Sequence, residues 1–220
     1  MSGARPRGSE KDGRHNAKGQ KSLMWFFENE AFKNGYRSIA GIDEAGRGPL
    51  AGPVVSAAVI LHPGFPDCGI NDSKKLSPAR RKQLFSLIVD NAIAVSTGMA
   101  SSSEIDEINI LRASLKSMKR AAAGLAVPPD YLLIDGKFTI DSNISQKAVV
   151  KGDSKSISIA AASIVAKVTR DTLMACLHDR YPAYNFKQHK GYPTKAHRAA
   201  IVKYGACPEH RKTFKGVRGV

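Results

Sequence analysis

Five short apolar runs along the chain lack a helical period and predict β-strands. The first ends at Asp43, and the others lie at residues 54–61, 92–100, 131–136 and 146–150. Between them, apolar residues at helical spacing predict helices at 22–34, after Ser77-Pro78, across 103–124 and across 154–180. In the third of these helical regions Ser103, with Asp106 three residues later, matches the spacing of a capping box. Strands that alternate with helices predict an α/β domain.

Charge divides the chain into a nearly balanced body and two basic ends. The formal net charge is +15; residues 1–22 carry six Lys/Arg against two acids, and residues 187–220 carry nine against one. Clusters of one sign at both ends indicate a polyanionic partner, with nucleic acid favoured over a membrane surface. Because residues 1–22 have almost no apolar content, we expect residues 1–30 to form a basic, disordered extension to a domain spanning 31–220.

The cysteines and the apolar content exclude several classes of protein. Cys68, Cys176 and Cys207 are widely spaced and show no C-x-x-C pair, so neither a disulfide framework nor a zinc site is expected. No apolar run approaches the ~18 residues of a membrane span, and the basic N-terminus lacks the apolar region of a secretory peptide. We therefore expect a cytoplasmic protein that does not enter membranes.

Acidic residues follow three of the apolar runs. Asp43 and Glu44 end the first, Asp135 ends the fourth, and Asp153 follows the fifth. A single such aspartate is better explained as a helix cap or turn former, but three acidic termini after buried runs are not. The ends of strands in an α/β sheet converge on one crevice, so we expect the four carboxylates to face one another and to require divalent cations, Mg²⁺ or Mn²⁺. Two such ions catalyse phosphodiester hydrolysis, which predicts a nuclease.

A glycine-rich turn, Gly46-Arg47-Gly48, follows the acidic pair directly. Glycines on both sides of a guanidinium let backbone N–H groups approach a phosphate or sugar closely. The same stretch also matches a dinucleotide-binding G-x-G-x-x-A fingerprint, but that motif must open a helix, whereas residues 54–61 predict a strand. An acidic metal strand of a helicase-like ATPase would need a G-x-x-x-x-G-K-[ST] loop, which the chain lacks. A solvated Asp-Glu turn stays open on this stretch alone.

Several segments together resemble bacterial ribonuclease HII, the type 2 ribonuclease H. The segments are GIDEAGRGPLAGPV at 41–54, DSKKLS at 72–77, LLIDG at 132–136 and KGDSKSISIAAASIVAKVTRD at 151–171. HKGYPTKAH at 189–197 is similar to the substrate-binding segment of that family. The resemblance covers residues 38–204 in the family's order.

The resemblance implies an RNase H-like fold, a mixed five-stranded sheet whose first three strands form an antiparallel meander, flanked by helices and followed by a helical, basic, substrate-binding portion at 187–220. It implies metal-dependent endonucleolytic cleavage of the RNA strand in RNA–DNA hybrids and at single ribonucleotides embedded in duplex DNA. It further implies a cut 5′ of the ribonucleotide that leaves 3′-hydroxyl and 5′-phosphate ends, and a role in ribonucleotide removal during DNA replication and repair. We expect a monomer, and contact with a replication clamp stays open.

Specific residues carry the family's roles by their match to its motifs. The metal-binding and catalytic carboxylates match Asp43, Glu44, Asp135 and Asp153. Gly46, Arg47 and Gly48 match the loop that contacts the ribose 2′-hydroxyl at the scissile junction. Tyr192 matches the tyrosine that stacks on the next deoxyribose, and Lys74 is expected to bind a phosphate.

Two further functions remain compatible with the residues themselves. One is a DNA nuclease or resolvase of the same fold, which would not need a ribose at the cleaved position. The other is a basic nucleic-acid binding module without catalysis. The histidines at 189, 197 and 210 lie in a basic segment, where we expect phosphate contacts or surface positions rather than metal ligation.

Overall fold

A short helix near the start of the described residues packs against the body of the protein. The computed structural model describes residues 23–66 and 68–219, in which helix α1 spans Phe26–Lys33 within the helix predicted for 22–34. Ala31 of this helix packs with Ile39, Leu133 and Val149 of the sheet. Glu28 of the same helix is buried as well, so residues 26–30 belong to the folded body and not to the extension predicted for 1–30. Residues 1–22 of that extension lie outside the described residues.

The five predicted strands form one mixed sheet. Their bounds are β1 Ile39–Ala45, β2 Val54–Ile60, β3 Ala94–Ala100, β4 Tyr131–Asp135 and β5 Ser145–Val149. The spatial order is β3-β2-β1-β4-β5. The first three strands pair antiparallel as consecutive neighbours, and β4 lies parallel to both β1 and β5. The predicted antiparallel meander within a mixed five-stranded sheet is confirmed.

Helices cover both faces of this sheet. The longer helices are α2 Pro78–Asn91, α3 Ser102–Ala123 and α4 Ile157–Arg180, followed by α5 Phe186–His189 and α6 Lys195–Tyr204. Residues of α2 and α4 form one core cluster with Ala57 and Val59, whereas residues of α3 pack with Ala58 and Ile60 on the opposite face. Within residues 23–66 and 68–219, no helix has the length and apolar character to cross a membrane.

Helix α4 lies unusually close to the central strand. A Cβ atom built on Gly41 of β1 would lie 2.5 Å from the carbonyl oxygen of Ser158, so only glycine permits this separation. The first turns of α4 contain several small buried residues, among them Ser158, which faces Gly41, and Ala160 to Ala162. The predicted close approach of this helix to the sheet is confirmed, and it depends on the strand as much as on the helix.

Two helix starts show which predicted caps form. The Ser77 side chain accepts a hydrogen bond from the N–H of Arg80 (3.2 Å), as expected for α2. For α3 the cap predicted at Ser103 is wrong, because Ser101 and Glu104 form the capping box instead. The pairs Ser101–Glu104 and Ser103–Asp106 both have the spacing of a capping box. Asp106 does not cap α3, because its carboxylate accepts a hydrogen bond from the N–H of residue 212 (2.8 Å).

A buried acid fastens α1 to the start of α4. The carboxylate of Glu28 accepts hydrogen bonds from the hydroxyl of Ser156 (2.5 Å) and from the N–H of Ser158 (3.0 Å). Burial raises the pKa of Glu28 in spite of these donors. Because α4 follows directly after Asp153, this contact also supports the turn that carries an acidic residue of the site.

Candidate active site

Neighbouring strands bring the acidic residues together. Asp43 and Glu44 lie inside β1 and Asp135 ends β4, and since Ile42 pairs with Ile134 in parallel register, Asp43 and Asp135 come next on adjacent strands. Strands in a sheet are ~4.8 Å apart. Asp153 lies in the short 3₁₀ turn after β5, and the N–H of Gly152 in that turn donates to Oδ1 of Asp135 (2.6 Å).

Burial and repulsion disfavour the charged forms of these carboxyls. Burial, followed by the charges of Glu44 and Asp135, raises the pKa of Asp43 well above its usual value. Burial and the charge of Asp135 raise the pKa of Glu44, while burial and the charge of Asp153 raise that of Asp135. Three of the four carboxyls therefore lack enough positive charge around them.

Two basic side chains partly compensate this negative charge. Nη1 of Arg47 donates to Oε1 of Glu44 (3.3 Å), and Nζ of Lys74 lies 3.3 Å from Oδ2 of Asp153. Partial burial acts to lower the pKa of Lys74, but nearby carboxylates led by Asp153 outweigh it and the pKa is raised. The Lys74 side chain is 79% exposed, so solvent screens this pair and its ammonium is free to contact other anions.

The donor set is of the kind that divalent cations bind. Carboxylate oxygens are hard ligands suited to Mg²⁺ or Mn²⁺, and the raised pKa values indicate a site that added positive charge would stabilise. In the described ranges, however, no three His, Cys, Asp or Glu side chains are grouped so that they could hold an ion as they stand. Consecutive residues of a strand project to opposite faces, which separates the side chains of Asp43 and Glu44. The site fits a divalent cation in chemistry, and the carboxylates would exchange their present hydrogen-bond partners for it.

The glycine-rich loop and Tyr192 meet beside this acidic site. Gly46 is buried with a φ of +100°, whereas Arg47 and Gly48 are exposed. A Cβ built on Gly48 would lie 3.6 Å from Cε1 of Tyr192, so the exposed tyrosine ring adjoins the exposed end of the loop. The N–H of Leu50 donates to the carbonyl of Gly191 (2.8 Å), which joins the two segments through their backbones.

Two buried arginines beneath the loop were not anticipated from the sequence. Arg170 and Arg211 are 1% and 0% exposed. Their guanidinium groups donate to main-chain carbonyls in and around residues 46–53. Nothing in the sequence distinguished them, because Arg211 lies among the basic residues of 187–220 that were expected to bind substrate, and Arg170 lies in a long predicted helix.

Two of the three histidines expected at the surface, His197 and His210, are instead buried in the C-terminal part of the fold, so the expectation is wrong for them, whereas His189 is half-buried. His197 and His210 are 0% and 1% exposed, and their Nε2 atoms are 3.1 Å apart. Nδ1 of His197 donates to the carbonyl of Tyr192 (2.9 Å), and Nδ1 of His210 accepts from the N–H of Cys207 (3.0 Å). Both rings are therefore neutral, with Nε2 of His210 donating to Nε2 of His197, and burial lowers the pKa of His197 to about 4. The pair fixes the backbone of Tyr192.

Comparisons with known proteins agree on one family. The family model for Ribonuclease HII matches residues 40–217. Ribonuclease HII of Geobacter metallireducens is 58% identical over 200 residues, covering 91% of this chain and 93% of that protein. The Geobacter sulfurreducens protein of the same name is 57% identical over 195 residues, covering 89% and 90%.

A solved structure extends this agreement to the fold. The ribonuclease H2 of Pyrococcus horikoshii OT3 matches with a TM-score of 0.70 and 28% identity, covering 83% of this chain and 96% of that one. The mixed sheet with flanking helices is therefore the RNase H-like fold that the sequence motifs implied. The chain belongs to the ribonuclease HII family and is a ribonuclease H, a hydrolase that cleaves the RNA strand of RNA–DNA hybrids.

Proposed function

We propose that this enzyme also cuts duplex DNA at a single embedded ribonucleotide, on its 5′ side, and leaves 3′-hydroxyl and 5′-phosphate ends. Such a reaction removes ribonucleotides during DNA replication and repair. The observation that carries the proposal is the adjacency of Gly48 and the Tyr192 ring, with a would-be Cβ of Gly48 3.6 Å from Cε1 of Tyr192. A backbone surface and an aromatic surface side by side are suited to two consecutive sugars.

The two surfaces divide the recognition of an RNA-to-DNA junction. Main-chain groups of Gly46, Arg47 and Gly48 contact the 2′-hydroxyl, which is the one group that separates ribose from deoxyribose. The ring of Tyr192, 44% exposed, stacks on the deoxyribose that follows. A ring packed against that sugar leaves no room for an added hydroxyl, so the loop tests for a 2′-hydroxyl and the ring tests for its absence one nucleotide later.

The four carboxylates hold the catalytic metal. Asp43, Glu44, Asp135 and Asp153 supply the oxygen ligands, and the proposed ions are Mg²⁺ or Mn²⁺. When bound, a divalent ion supplies charge stabilisation at the scissile phosphate. Lys74 leaves Asp153 for a substrate phosphate, which its largely exposed side chain allows.

The basic C-terminal portion holds the duplex. Its exposed basic side chains are Lys187, Lys195, Arg198, Lys203, Lys212, Lys215 and Arg218. Their phosphate contacts contribute affinity that falls with salt, independent of sequence. The enzyme acts as a monomer formed by one catalytic domain with this substrate-binding portion, and its three free cysteines agree with action in the cytoplasm.

A labelled duplex with one ribonucleotide tests the proposal. In Mg²⁺ or Mn²⁺ we expect a single cut 5′ of the ribonucleotide, no cut in EDTA, and no cut in an all-DNA duplex of the same sequence. Extension of the upstream product by a DNA polymerase would verify its 3′-hydroxyl end. Cleavage of the all-DNA control would identify a DNA nuclease, and binding without any cleavage would identify a non-catalytic module.

Replacement of Tyr192 tests the division of labour. Because stacking contacts contribute ~1–3 kcal/mol, Tyr192→Ala should lower kcat/KM on the single-ribonucleotide duplex roughly ten- to a hundredfold. The loss on a continuous hybrid should be smaller, since that substrate has no deoxyribose at the next position. Tyr192→Phe keeps the ring and serves as the matched control. Equal losses on both substrates for Tyr192→Ala would show that the ring only supports packing.

A further inference from the structure

Among the described residues, the two buried guanidinium groups beneath the loop have no acidic partner. In the described part of the chain, neither Arg170 nor Arg211 lies within 4 Å of a carboxylate oxygen, and all their hydrogen bonds go to main-chain carbonyls. Burial lowers the pKa of Arg170 to about 10 and that of Arg211 to about 9, so both stay charged at neutral pH. Buried charges without an ionic partner are costly, which indicates that the carbonyls they bind matter.

Arg211 holds both ends of the loop at once. Its Nη2 donates to the carbonyls of Gly46 (2.6 Å) and Gly52 (2.9 Å), and its Nη1 donates to the carbonyl of Arg47 (2.9 Å). Its Nε donates to Gly52 as well (3.1 Å). One side chain therefore fixes three carbonyls of a loop that lies about 160 residues away in the sequence, with sequence separations of 159 to 165.

These carbonyls determine where the neighbouring N–H groups point. A trans peptide is planar, so its C=O and N–H point in opposite directions. Carbonyls of Gly46 and Arg47 that are drawn inward onto Arg211 turn the N–H groups of Arg47 and Gly48 outward. Both of those residues are exposed, and Gly48 adjoins the ring of Tyr192.

The segment that carries Arg211 is itself rigidly attached. Its N–H donates to the carbonyl of Leu50 (2.8 Å), and the N–H of Gly52 donates to the carbonyl of Glu209 (2.8 Å). On the other side, the carboxylate of Asp106 accepts from the N–H groups of residues 212 (2.8 Å) and 213 (2.9 Å). The guanidinium is thus held from two directions against the underside of the loop.

We propose that Arg211 is a positioning residue for ribose recognition: by holding the carbonyls of Gly46 and Arg47, it presents the outward N–H groups of the loop to the 2′-hydroxyl and so sets the preference for ribose over deoxyribose. Arg170 binds the carbonyls of residues 51, 53 and 190 and none in 46–48. The Arg170 side chain also packs against Gly46, but it holds no carbonyl that orients the N–H groups of Arg47 or Gly48, so we expect it to support the fold without setting this preference. The inference rests on the proposed role of the loop in contacting the 2′-hydroxyl.

The test compares Arg211→Lys with Arg170→Lys as a matched control of equal burial. Dissociation constants are measured by fluorescence anisotropy in EDTA, for a duplex with one ribonucleotide and for the all-DNA duplex. Arg211→Lys keeps the charge but cannot reach three carbonyls, so we expect the preference for the ribonucleotide duplex to fall roughly two- to tenfold, the range of one hydrogen bond. Arg170→Lys should lower the melting temperature while leaving the preference unchanged.

Two outcomes separate this inference from the proposed function. If the wild-type protein binds both duplexes equally, the role of the loop itself fails. If the wild-type protein prefers the ribonucleotide duplex, either of two results overturns the positioning role of Arg211. One is a folded Arg211→Lys variant that keeps the preference, and the other is an equal loss of preference in Arg211→Lys and Arg170→Lys. Should Arg211→Lys not fold, Asp106→Asn loosens the same segment from the surface, and an unchanged preference in that variant would also overturn the proposal.

Discussion

Gly46→Ala and Gly48→Ala each add one methyl group to the same loop, but we expect different effects. Gly46→Ala should destabilise the fold, whereas Gly48→Ala should leave its stability unchanged. Gly46 has a φ of +100°, where a residue with a Cβ is strained by about 1–3 kcal/mol. Its Cβ would also lie within 3.0 Å of three Arg170 side-chain atoms, the farthest of which, Cζ, is 2.8 Å away. Arg170 cannot move aside cheaply, because it donates to the carbonyl of Pro53 (2.9 Å) and to two other carbonyls.

The expected loss follows from these two effects. Overpacking of a fixed neighbour costs about 1–3 kcal/mol, so strain and overpacking together destabilise Gly46→Ala by about 2–6 kcal/mol. That is a large part of the 5–15 kcal/mol typical of a folded domain. At Gly48 the φ is ordinary and the new Cβ would meet only Cε1 of Tyr192 at 3.6 Å, a normal contact. Gly48→Ala should therefore change the free energy of unfolding by less than about 0.5 kcal/mol.

Thermal and urea denaturation of the two purified variants measures this difference. For a chain of this size, 2 kcal/mol lowers Tm by about 4 °C or more, which is easily resolved. Gly48→Ala should melt like the wild-type protein and lose affinity only for the ribonucleotide duplex, because its methyl group lies on the exposed side. Equal Tm values for the two variants would refute the argument that Arg170 confines Gly46.

Three further predictions concern charge. Asp43→Asn should lower the rate of cleavage by on the order of 10²- to 10⁴-fold, because it removes a proposed metal ligand. In EDTA it should raise Tm, because it removes a charge that burial and its acidic neighbours disfavour, and a lower Tm would contradict this explanation. The pKa of His197 is about 4 when folded and ~6.5 when unfolded, so the unfolded chain takes up the proton first as pH falls. The contribution of neutral His197 to the free energy of unfolding should therefore be fully present above pH ~6.5 and decline by up to about 3 kcal/mol as the pH approaches 4. Urea denaturation at several pH values measures this decline, which His197→Gln should flatten. Deletion of residues 1–22, with six basic residues against two acids, should weaken duplex binding at low salt only, and inactivity at saturating substrate would contradict it.

Local patterns in the sequence were enough to predict the strands and most of the helices. The apolar runs that give β1 and β4 end in acids, and that pattern alone predicted that Asp43 and Asp135 would lie together. Parallel register between the two strands does bring them to adjacent positions. The predicted cap of α3 was wrong by two residues, because Ser101 and Ser103 each lie three residues before an acid. Only the contact of Asp106 with the C-terminal segment distinguishes the two serines.

Only the tertiary structure decided what holds the loop and the tyrosine in place. Arg211 and the pair formed by His197 and His210 act through hydrogen bonds to backbone atoms, and those of Arg211 reach carbonyls more than 150 residues away. Such bonds leave no periodicity and no spacing in the chain, since any donor that folding brings to the carbonyl can make them. The sequence shows that the C-terminal portion is rich in basic residues, but which of its cations face solvent and which are buried depends on how that segment packs. The sequence by itself therefore determined the sheet, its helices and the type of chemistry, whereas the packing of distant segments determined how the substrate-facing loop is oriented.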